Sequence, residues 1–311
     1  MKKRVIIDCD PGIDDALALI YALKSEKIDV RAVTTVMGNA PLALTTMNAL
    51  KILELTGRVE VPVAEGADKP LRGSYRPSTI LHGADGLGNT DLPLPKIKEQ
   101  PIEAAELILS EAERSDGPLT LIQLGPLTNL ATALQKVPEI VDSLEEVVIM
   151  GGAINVPGNV TSTAEFNIHL DPEAARIVFD SGLRITLVPL DVTRKTLVQP
   201  GDLEILEHVK NPVTQFAFRA MKYYTGANRR VRGVEGCFLH DPLAVAITED
   251  RTIAQTKRLK IEVVTGDRPD RGRLISAELG SSPPKQTIQV CLDVDAEGFL
   301  HRFFERITTL D

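Results

Sequence analysis

Short β-branched segments alternate with longer helical patterns along this chain, and this alternation restricts its fold more than any other feature. Residues 5–7, 30–36, 119–124, 147–150 and 185–188 have the composition of strands, and helical patterns separate them. A series of this kind predicts an α/β fold with a mainly parallel, open sheet flanked by helices. Ligands of such sheets bind beyond the carboxyl ends of the strands, so we expect the functional residues there.

The size and charge of the chain limit its organisation and its partners. With 311 residues, of which 43% are hydrophobic and 25% charged, we expect one globular domain, residues 1–311, around a large core. The formal net charge of -8 would repel a phosphate backbone, and the longest basic run is the short Lys2-Lys3-Arg4. We therefore expect a small-molecule substrate and no nucleic-acid partner.

Cysteine usage and hydropathy indicate the compartment. The three cysteines, Cys9, Cys237 and Cys291, are odd in number and lack the close spacing of a thiolate metal site. The first apolar run reaches Asp8 after three residues, too soon for the core of a signal peptide, and no later segment is long and apolar enough to span a bilayer. We expect reduced thiols, no membrane partner and a cytoplasmic protein.

Further local signals predict helices and loops. Asp171 precedes a proline and a glutamate at the start of a helical pattern, so we interpret it as a helix cap. Two polar, glycine-containing stretches, residues 72–90 and 225–236, are predicted to be loops and candidate lids. The tail is predicted to add strands at 259–264 and 288–292 and an amphipathic helix at 296–307.

The most informative segment follows the first strand. It carries Asp8, Asp10, Asp14 and Asp15 at the end of a strand, in a Pro-Gly turn and at the start of a helix. Two like charges ~4 Å apart repel by roughly 4 kcal/mol at an effective dielectric near 20, and the segment contains no base to offset them. A bound cation would, and ligands made of hard oxygens favour calcium or magnesium over zinc.

Helix capping is the alternative for these acids. Capping uses one carboxylate and would account for Asp14. It would leave Asp8, Asp10 and Asp15 crowded at the end of a buried strand, where unpaired charge is costly. The spacing therefore favours a metal site.

Three other segments carry candidate site residues. Asp241 precedes a proline and a new helix, where capping alone would explain it, but the adjacent His240 has the chemistry of a proton donor near neutral pH. Residues 123–129 run from a strand through Gly-Pro into a helix, which leaves backbone carbonyls available to a hard cation. Residues 151–167 combine glycines, amides and one carboxylate, a mixture that suits a ligand rich in hydroxyl groups but is common in loops.

Together these segments resemble the inosine-uridine-preferring nucleoside hydrolase family, from Val5 to the final helix. The opening Asp-Cys-Asp-Pro-Gly-x-Asp-Asp-Ala is highly specific by itself. The motifs that follow it in the family's order are Gly38-Asn39, His82-Gly83, Gly125-Pro126-Leu127-Thr128-Asn129, Glu165-Phe166-Asn167 and His240-Asp241-Pro242.

The resemblance implies a Ca²⁺ site and a ribose site. The implied calcium ligands are the side chains of Asp10, Asp15 and Asp241 and the backbone carbonyl of Leu124. Several family members have Thr at the position of Leu124, which matters little because the ligand is a main-chain oxygen. The residues implied to bind the ribose are Asp14, Asn39, Met150 through its backbone, Asn159, Glu165 and Asn167.

The resemblance also implies hydrolysis of the bond between the sugar and the base of ribonucleosides, in nucleoside salvage or catabolism. Asp10 would take a proton from a calcium-bound water, and His240 would protonate the leaving base, with His82 in or near the base pocket. The absence of Trp disfavours the purine-specific branch, which stacks the base between indoles. Where the mixed-specificity branch places a tyrosine, this chain has Arg229 and Arg230, so the base preference stays open. A homodimer or homotetramer is expected.

Two other functions compete with this interpretation. The pair Asp8-x-Asp10 after a strand is also typical of Mg²⁺-dependent phosphatases, although the segment lacks their usual hydroxyl and lysine partners and His240 would have no role. A nucleoside-binding protein without turnover is the second alternative. The presence of both Asp10 and His240 favours the hydrolase over it.

Overall fold

The structure, a computed structural model, describes residues 2–77, 80–278 and 287–309. The strands within these ranges are β1 (Lys3–Cys9), β2 (Ile28–Thr35), β3 (Val63–Glu65), β4 (Leu119–Gln123), β5 (Glu146–Met150), β6 (Ile185–Val188), β7 (Leu197–Val198), β8 (Cys237–Phe238), β9 (Ala254–Val263), β10 (Leu274–Ala277) and β11 (Ile288–Val294).

The α-helices in the same ranges are α1 (Ile13–Leu23), α2 (Leu42–Leu55), α3 (Ala104–Arg114), α4 (Thr128–Lys136), α5 (Ile140–Ser143), α6 (Phe166–Leu170), α7 (Pro172–Asp180), α8 (Leu190–Thr193), α9 (Glu204–Glu207), α10 (Pro212–Arg232), α11 (His240–Glu249) and α12 (Ala296–Thr308). None of the described helices is long and apolar enough to cross a membrane.

The large sheet is mainly parallel, as the alternation of elements predicts. Its strand order is β10-β9-β11-β6-β5-β4-β1-β2-β3. The pairs from β11 to β3 are parallel, whereas β9 pairs antiparallel with both β10 and β11. Strand β1 lies between β2 and β4, so the acidic segment that follows β1 emerges near the middle of the parallel part of the sheet.

Helices cover both faces of the sheet and bury it. Val5, Ile7 and Cys9 of β1 point into a core shared with α1, α10, α11 and α12. Ile6 points to the other face, into a core shared with α3, α4 and α7. Because both faces are buried, the strand is a continuous apolar run rather than an alternating one.

Several local predictions are confirmed. The Asp171 carboxylate accepts a hydrogen bond from the Ala174 amide at 3.0 Å and caps α7. The tail forms β9, β11 and α12, with β9 starting five residues earlier than predicted. The stretch 72–90 contains neither helix nor strand among its described residues, while residues 78 and 79 of this candidate lid lie outside the described ranges.

The predicted loop at 225–236 is wrong for most of its length. Helix α10 continues to Arg232 and ends at Gly233, whose φ of 68° is in the left-handed region that favours glycine. The polar composition and Gly226 suggested a loop, but Tyr224, Ala227 and Asn228 are buried against the core. Tertiary packing of this face outweighs the weak helix propensity of the sequence.

Candidate active site

The cavity at the carboxyl ends of the parallel strands collects most of the predicted site residues. Its volume is about 880 Å³. The predicted residues that line it are Asp14, Asn39, His82, Leu124, Met150, Asn159, Glu165, Asn167, His240 and Asp241. Asp10 and Asp15, 1% and 0% exposed, are buried and accept hydrogen bonds from the lining residue Asn39.

Two helix N-termini bring three carboxylates together. Asp14 and Asp15 lie in the first turn of α1, and Asp241 lies in the first turn of α11, which packs against α1. One carboxylate oxygen from each of the three lies within 4.8 Å of the others. The amides and dipole at a helix N-terminus favour negative charge, and here two such ends share one acidic cluster.

Asp15 is held in place by the turn that precedes its helix. Its carboxylate accepts hydrogen bonds from the amides of Asp10 and Gly12, both at 3.1 Å, and from Asn39 Nδ2 at 3.0 Å. These three donors lower the cost of burying its charge, yet burial still raises its pKa to about 6.

Asp10 keeps one oxygen unused. Its Oδ2 accepts a hydrogen bond from the Asn39 amide at 2.5 Å, while Oδ1 has no partner among the described residues. Gly125 leaves room for this oxygen, because a Cβ there would lie 2.7 Å from Oδ1. Burial and the neighbouring Asp15 raise the pKa of Asp10 well above its usual range.

These observations fit a divalent cation bound by hard oxygen ligands. Asp14 also has an oxygen, Oδ1, without a partner in the described part of the chain, and burial raises its pKa to about 7. Burial is the main cause that raises the pKa of Asp241 well above normal, and the charges of Asp14 and Asp15 raise it further. Buried carboxylates with unused oxygens require either protons or a cation, and a metal would remove both the repulsion and the unsatisfied acceptors.

The carboxyl ends of β4 and β5 contribute backbone oxygens. Asn167 Nδ2 donates to the carbonyl of Leu124 at 2.6 Å and lies 3.2 Å from the carbonyl of Met150. The side chain of Asn167 thus joins two neighbouring strand ends. The Leu124 carbonyl that accepts this bond is the one that the family resemblance implies as a metal ligand.

Glu165 is the N-cap of α6 and is almost saturated with donors. Its carboxylate accepts from the amides of Gly152, Asn167 and Ile168. Asn159 Oδ1 accepts a hydrogen bond from the Phe166 amide at 2.9 Å, and the amino group of Asn159 takes no part in this bond. The loop at 151–167 is therefore rigidly tied to the cavity wall by its own side chains.

Two histidines also line the cavity. His82 Nδ1 accepts a hydrogen bond from the Ile13 amide at 3.0 Å, so its Nε2 carries the ring proton, and the ring contacts Tyr224 with centroids 5.4 Å apart. His240 Nδ1 lies 2.7 Å from Thr193 Oγ1. Burial and then the positive charge of Arg232 lower the pKa of both rings to about 3.

The sequence interpretation missed several contributors to this site. Thr193, which orients His240, lies in the short helix that follows β6, so its position after a strand end was the available signal. Arg232 lines the cavity, whereas Arg229 and Arg230, to which the sequence drew attention, are exposed. Their places on α10 could not be distinguished while that segment was interpreted as a loop.

Comparisons with known proteins identify the class. The sequence profile described as "Inosine-uridine preferring nucleoside hydrolase" matches residues 5–301. The chain is 38% identical over 310 residues to the "Pyrimidine-specific ribonucleoside hydrolase RihA" of Photobacterium profundum, covering 99% of each chain. It is 37% identical over 302 residues to the "Inosine-uridine preferring nucleoside hydrolase" of Crithidia fasciculata, covering 96% of this chain and 95% of that one.

Solved structures agree with the sequence relatives. The "Plant nucleoside hydrolase - PpNRh1 enzyme" superposes with a TM-score of 0.95 at 34% identity and 100% coverage of both chains. The "Purine-Preferring Ribonucleoside Hydrolase from Gardnerella vaginalis" gives a TM-score of 0.93 at 34% identity and 98% coverage of both.

Fold, cavity and relatives together define an N-glycosyl hydrolase that splits ribonucleosides into ribose and free base. The chain belongs to the inosine-uridine preferring nucleoside hydrolase family. This membership confirms the resemblance expected from the sequence, and it favours the hydrolase over the phosphatase and the non-catalytic binding protein.

Proposed function

We propose that this chain hydrolyses the N-glycosidic bond of ribonucleosides with a Ca²⁺ cofactor, Asp10 as general base and His240 as the acid for the leaving base. The observation that carries the proposal is Asp10 Oδ1, which has no hydrogen-bond partner among the described residues and is buried beside the cluster of Asp14, Asp15 and Asp241. A buried carboxylate oxygen without a donor, next to other acids, has the surroundings required of a base beside a metal.

The residues that would hold the cation are Asp10, Asp15 and Asp241 through their carboxylates and Leu124 through its carbonyl. When bound, Ca²⁺ supplies positive charge that acidifies a coordinated water. The same charge would lower the raised pKa of Asp10 and keep its carboxylate ionised, as a general base must be. The choice of calcium over magnesium rests on the number of ligands and on the family resemblance.

Asp10 accepts the proton of the attacking water in this proposal. The Asn39 amide holds Oδ2, which leaves Oδ1 as the oxygen for the proton. The resulting hydroxide forms a bond to the anomeric carbon while the bond from that carbon to the base nitrogen breaks. The electron pair of the broken bond goes to the base.

The ribose hydroxyls would be bound by Asp14, Asn39, Asn159, Glu165 and Asn167, and by the Met150 backbone. All of these groups line the cavity. Their mutual hydrogen bonds fix them before substrate arrives, so little ordering is needed on binding. Nearby carboxylates also stabilise the positive charge that develops on the sugar.

His240 and His82 would contact the base. The Thr193 hydroxyl orients His240, and burial keeps its ring neutral in the free protein. The negative charge that builds on the departing base would stabilise the protonated ring, so that His240 takes a proton from solvent, passes it to the base nitrogen that receives the electron pair, and is neutral again afterwards. His82 offers its Nε2 proton because Nδ1 already accepts from Ile13.

The reaction is tested with substrates that separate the competing functions. The protein is incubated with inosine, uridine and ribose 5-phosphate, and its metal content is measured on the same sample. We expect free base from the nucleosides, no phosphate and bound calcium. Release of phosphate, or no product from any nucleoside, would refute the proposal.

Asp10→Asn tests the general base. We expect loss of activity on both inosine and a riboside with a good leaving group, because the water must be activated for either. Asp180→Asn, at an exposed position at the end of α7, is the matched control and should keep wild-type rates. Retention of more than a tenth of wild-type turnover by Asp10→Asn would show that another group takes the proton.

We also propose that residues 1–311 act as one nucleoside hydrolase domain, in a homodimer or homotetramer, in the cytoplasm. The single domain is supported by the sheet, which takes strands from both ends of the chain. The compartment is supported by Cys9, Cys237 and Cys291, which are buried free thiols. Sedimentation measurements test the oligomer, and a single cooperative unfolding transition tests the domain.

A further inference from the structure

Helix α8 is a single turn that follows β6, next to the strand end that carries Met150. All of its residues are buried, and two of them, Asp191 and Thr193, are polar. Burying a polar side chain is costly unless it finds a partner, so the partners of these two side chains show what the helix holds. Neither of them is among the described residues that line the cavity, so each acts through other residues.

Asp191 holds the first part of the loop at 151–167. Its Oδ2 accepts a hydrogen bond from the Ile154 amide at 2.9 Å, and its Oδ1 accepts one from the Asn155 amide at 2.8 Å. A carboxylate that binds two consecutive amides makes charge-assisted hydrogen bonds, which are stronger than those between neutral groups. The carboxylate therefore fixes the backbone of this loop to α8.

Two further hydrogen bonds tie α8 to the same loop. The first amide of the helix donates to the Gly152 carbonyl at 2.9 Å, and Arg194, which follows the helix, donates from Nη2 to the Gly158 carbonyl at 2.8 Å. Gly152 also donates its amide to Glu165. Gly158 directly precedes Asn159. Helix α8 thus supports two residues that the proposed function assigns to the ribose.

Thr193 holds the ring of His240. Its Oγ1 lies 2.7 Å from Nδ1 of that ring and has no other hydrogen-bond partner in the described part of the chain. The hydroxyl can donate to Nδ1 or accept from it, so the contact can persist whether or not the ring carries an additional proton. Because Thr193 occupies Nδ1, Nε2 is the ring nitrogen left for proton transfer to a base.

The backbone beside His240 is fixed by the continuation of the same segment. The Leu239 amide donates to the Thr196 carbonyl at 3.1 Å, and Thr196 Oγ1 donates to the Leu239 carbonyl at 3.3 Å. Strands β7 and β8 then pair antiparallel through Leu197 and Phe238. The chain from α8 to β7 therefore contacts both the ring of His240 and the backbone that precedes it.

We propose that α8 sets the position of the ribose relative to the acid: Asp191 acts through the loop at 151–167, and Thr193 acts through His240. This inference rests on the proposed function, which assigns the ribose to that loop and the acid to His240. Proton transfer to the base requires His240 to lie at a set distance from the bond that breaks, and a displacement of about 1 Å can cost about 10²-fold in rate. A single buried turn bonded to both partners keeps that distance constant.

The test of Asp191 measures KM and kcat for inosine and for 4-nitrophenyl riboside, whose leaving group needs no acid. Asp191→Ala should raise KM for both substrates by about tenfold, because both present the same ribose to the loop. It should lower kcat by about tenfold for inosine and by less than about threefold for the nitrophenyl riboside. Asp191→Asn, which keeps one accepting oxygen, should give the same pattern with smaller factors and serves where Asp191→Ala does not fold. Asp295→Ala is the matched control and should keep wild-type kinetics: this exposed carboxylate accepts the Gly298 amide at 3.0 Å and is not among the described residues that line the cavity.

The test of Thr193 uses the same two substrates. Thr193→Val should lower kcat for inosine by about tenfold and for the nitrophenyl riboside by less than about threefold, with KM unchanged, because only inosine needs the acid. Thr193→Ser restores the hydroxyl and should recover most of the loss. Thr248→Val is the matched control, since it removes a buried hydroxyl of α11 that donates to the Ala244 carbonyl at 2.9 Å. It should match wild type on both substrates.

Combination with His240→Ala shows whether both side chains act through the acid. Added to His240→Ala, Asp191→Ala or Thr193→Val should lower kcat for inosine by less than about twofold, because no acid is left to position. A loss of folded protein would instead lower kcat on both substrates and in both backgrounds. Wild-type kinetics of either single variant, equal kcat losses on the two substrates, or losses that persist in His240→Ala would overturn the inference. An inactive wild type on every nucleoside, or equal losses on both substrates in His240→Ala itself, would refute the proposed function instead.

Discussion

Asp8→Asn in the metal-free protein tests how the buried acids limit stability. Asp8 is fully buried near the end of β1. Its Oδ1 accepts hydrogen bonds from Thr34 Oγ1 and from Asn129 Nδ2, while Oδ2 has no partner among the described residues. Burial is the main cause that raises its pKa from 3.8 to about 7. Asparagine removes the charge and keeps an oxygen that can accept from both donors.

The magnitude follows from the shift in pKa. The folded state binds the proton of Asp8 more tightly than the unfolded state, so protonation of Asp8 raises the free energy of unfolding. This stabilisation is complete below pH ~4 and is lost as the pH rises through 7. A shift of about 3 units corresponds to roughly 4 kcal/mol in total. Between pH 5 and pH 8 the loss in free energy of unfolding is about 3 kcal/mol, because part of the shift lies below pH 5.

Urea unfolding in the presence of a chelator, at pH 5 and at pH 8, measures this loss. The wild-type protein should lose more stability over this interval than Asp8→Asn, by about 3 kcal/mol. Asp180→Asn, which is exposed, should keep the wild-type pH dependence. If wild type and Asp8→Asn differ by less than ~0.5 kcal/mol in their pH dependence, burial of this carboxyl is not what weakens the metal-free fold.

Two further predictions concern the acid and the metal. His240→Ala should lower turnover of inosine by ~10²- to 10⁴-fold and barely affect a riboside with a good leaving group. Steady-state assays measure both rates, and equal losses would mean that His240 does something other than protonate the base. Chelation should lower the melting temperature more at pH 8 than at pH 5. The pKa values are raised to about 7 for Asp14 and to about 6 for Asp15, so without metal both carboxyls are protonated at pH 5, whereas at pH 8 both are charged and repel each other. Calorimetry with and without calcium measures this, and an equal shift at both pH values would contradict it.

The acidic half of the site could be predicted because its geometry is local. A strand, a tight turn and a helix start fix the distances among Asp10, Asp14 and Asp15 within a few residues. Asp241 is distant in sequence, but it also begins a helix, and α11 packs against α1. The topological rule that ligands bind at the carboxyl ends of parallel strands then brings the separate motifs together.

The surroundings of the two histidines could not be predicted in the same way, since they depend on packing between distant elements. His82 is positioned by the Ile13 amide, and His240 by Thr193, 47 positions away along the chain. Helix α10 is amphipathic over its full length, yet its last two turns contain Gly226, Asn228 and several arginines that locally resemble a loop. Only the buried face of the helix, visible in three dimensions, decides which of these arginines reaches the cavity.

The helical state of this segment fixes the side chains that it presents to the cavity. Tyr224, Asn228 and Arg232 are spaced by four residues and therefore share one face of α10. Asn228 Nδ2 donates to the Gly236 carbonyl at 3.1 Å, which ties the chain after the helix to its last turn. With the backbone held in this way, Tyr224 and Arg232 line the cavity from a helix rather than from a loop that rearranges. The shape of this wall is therefore set by the packing of α10 before any ligand arrives.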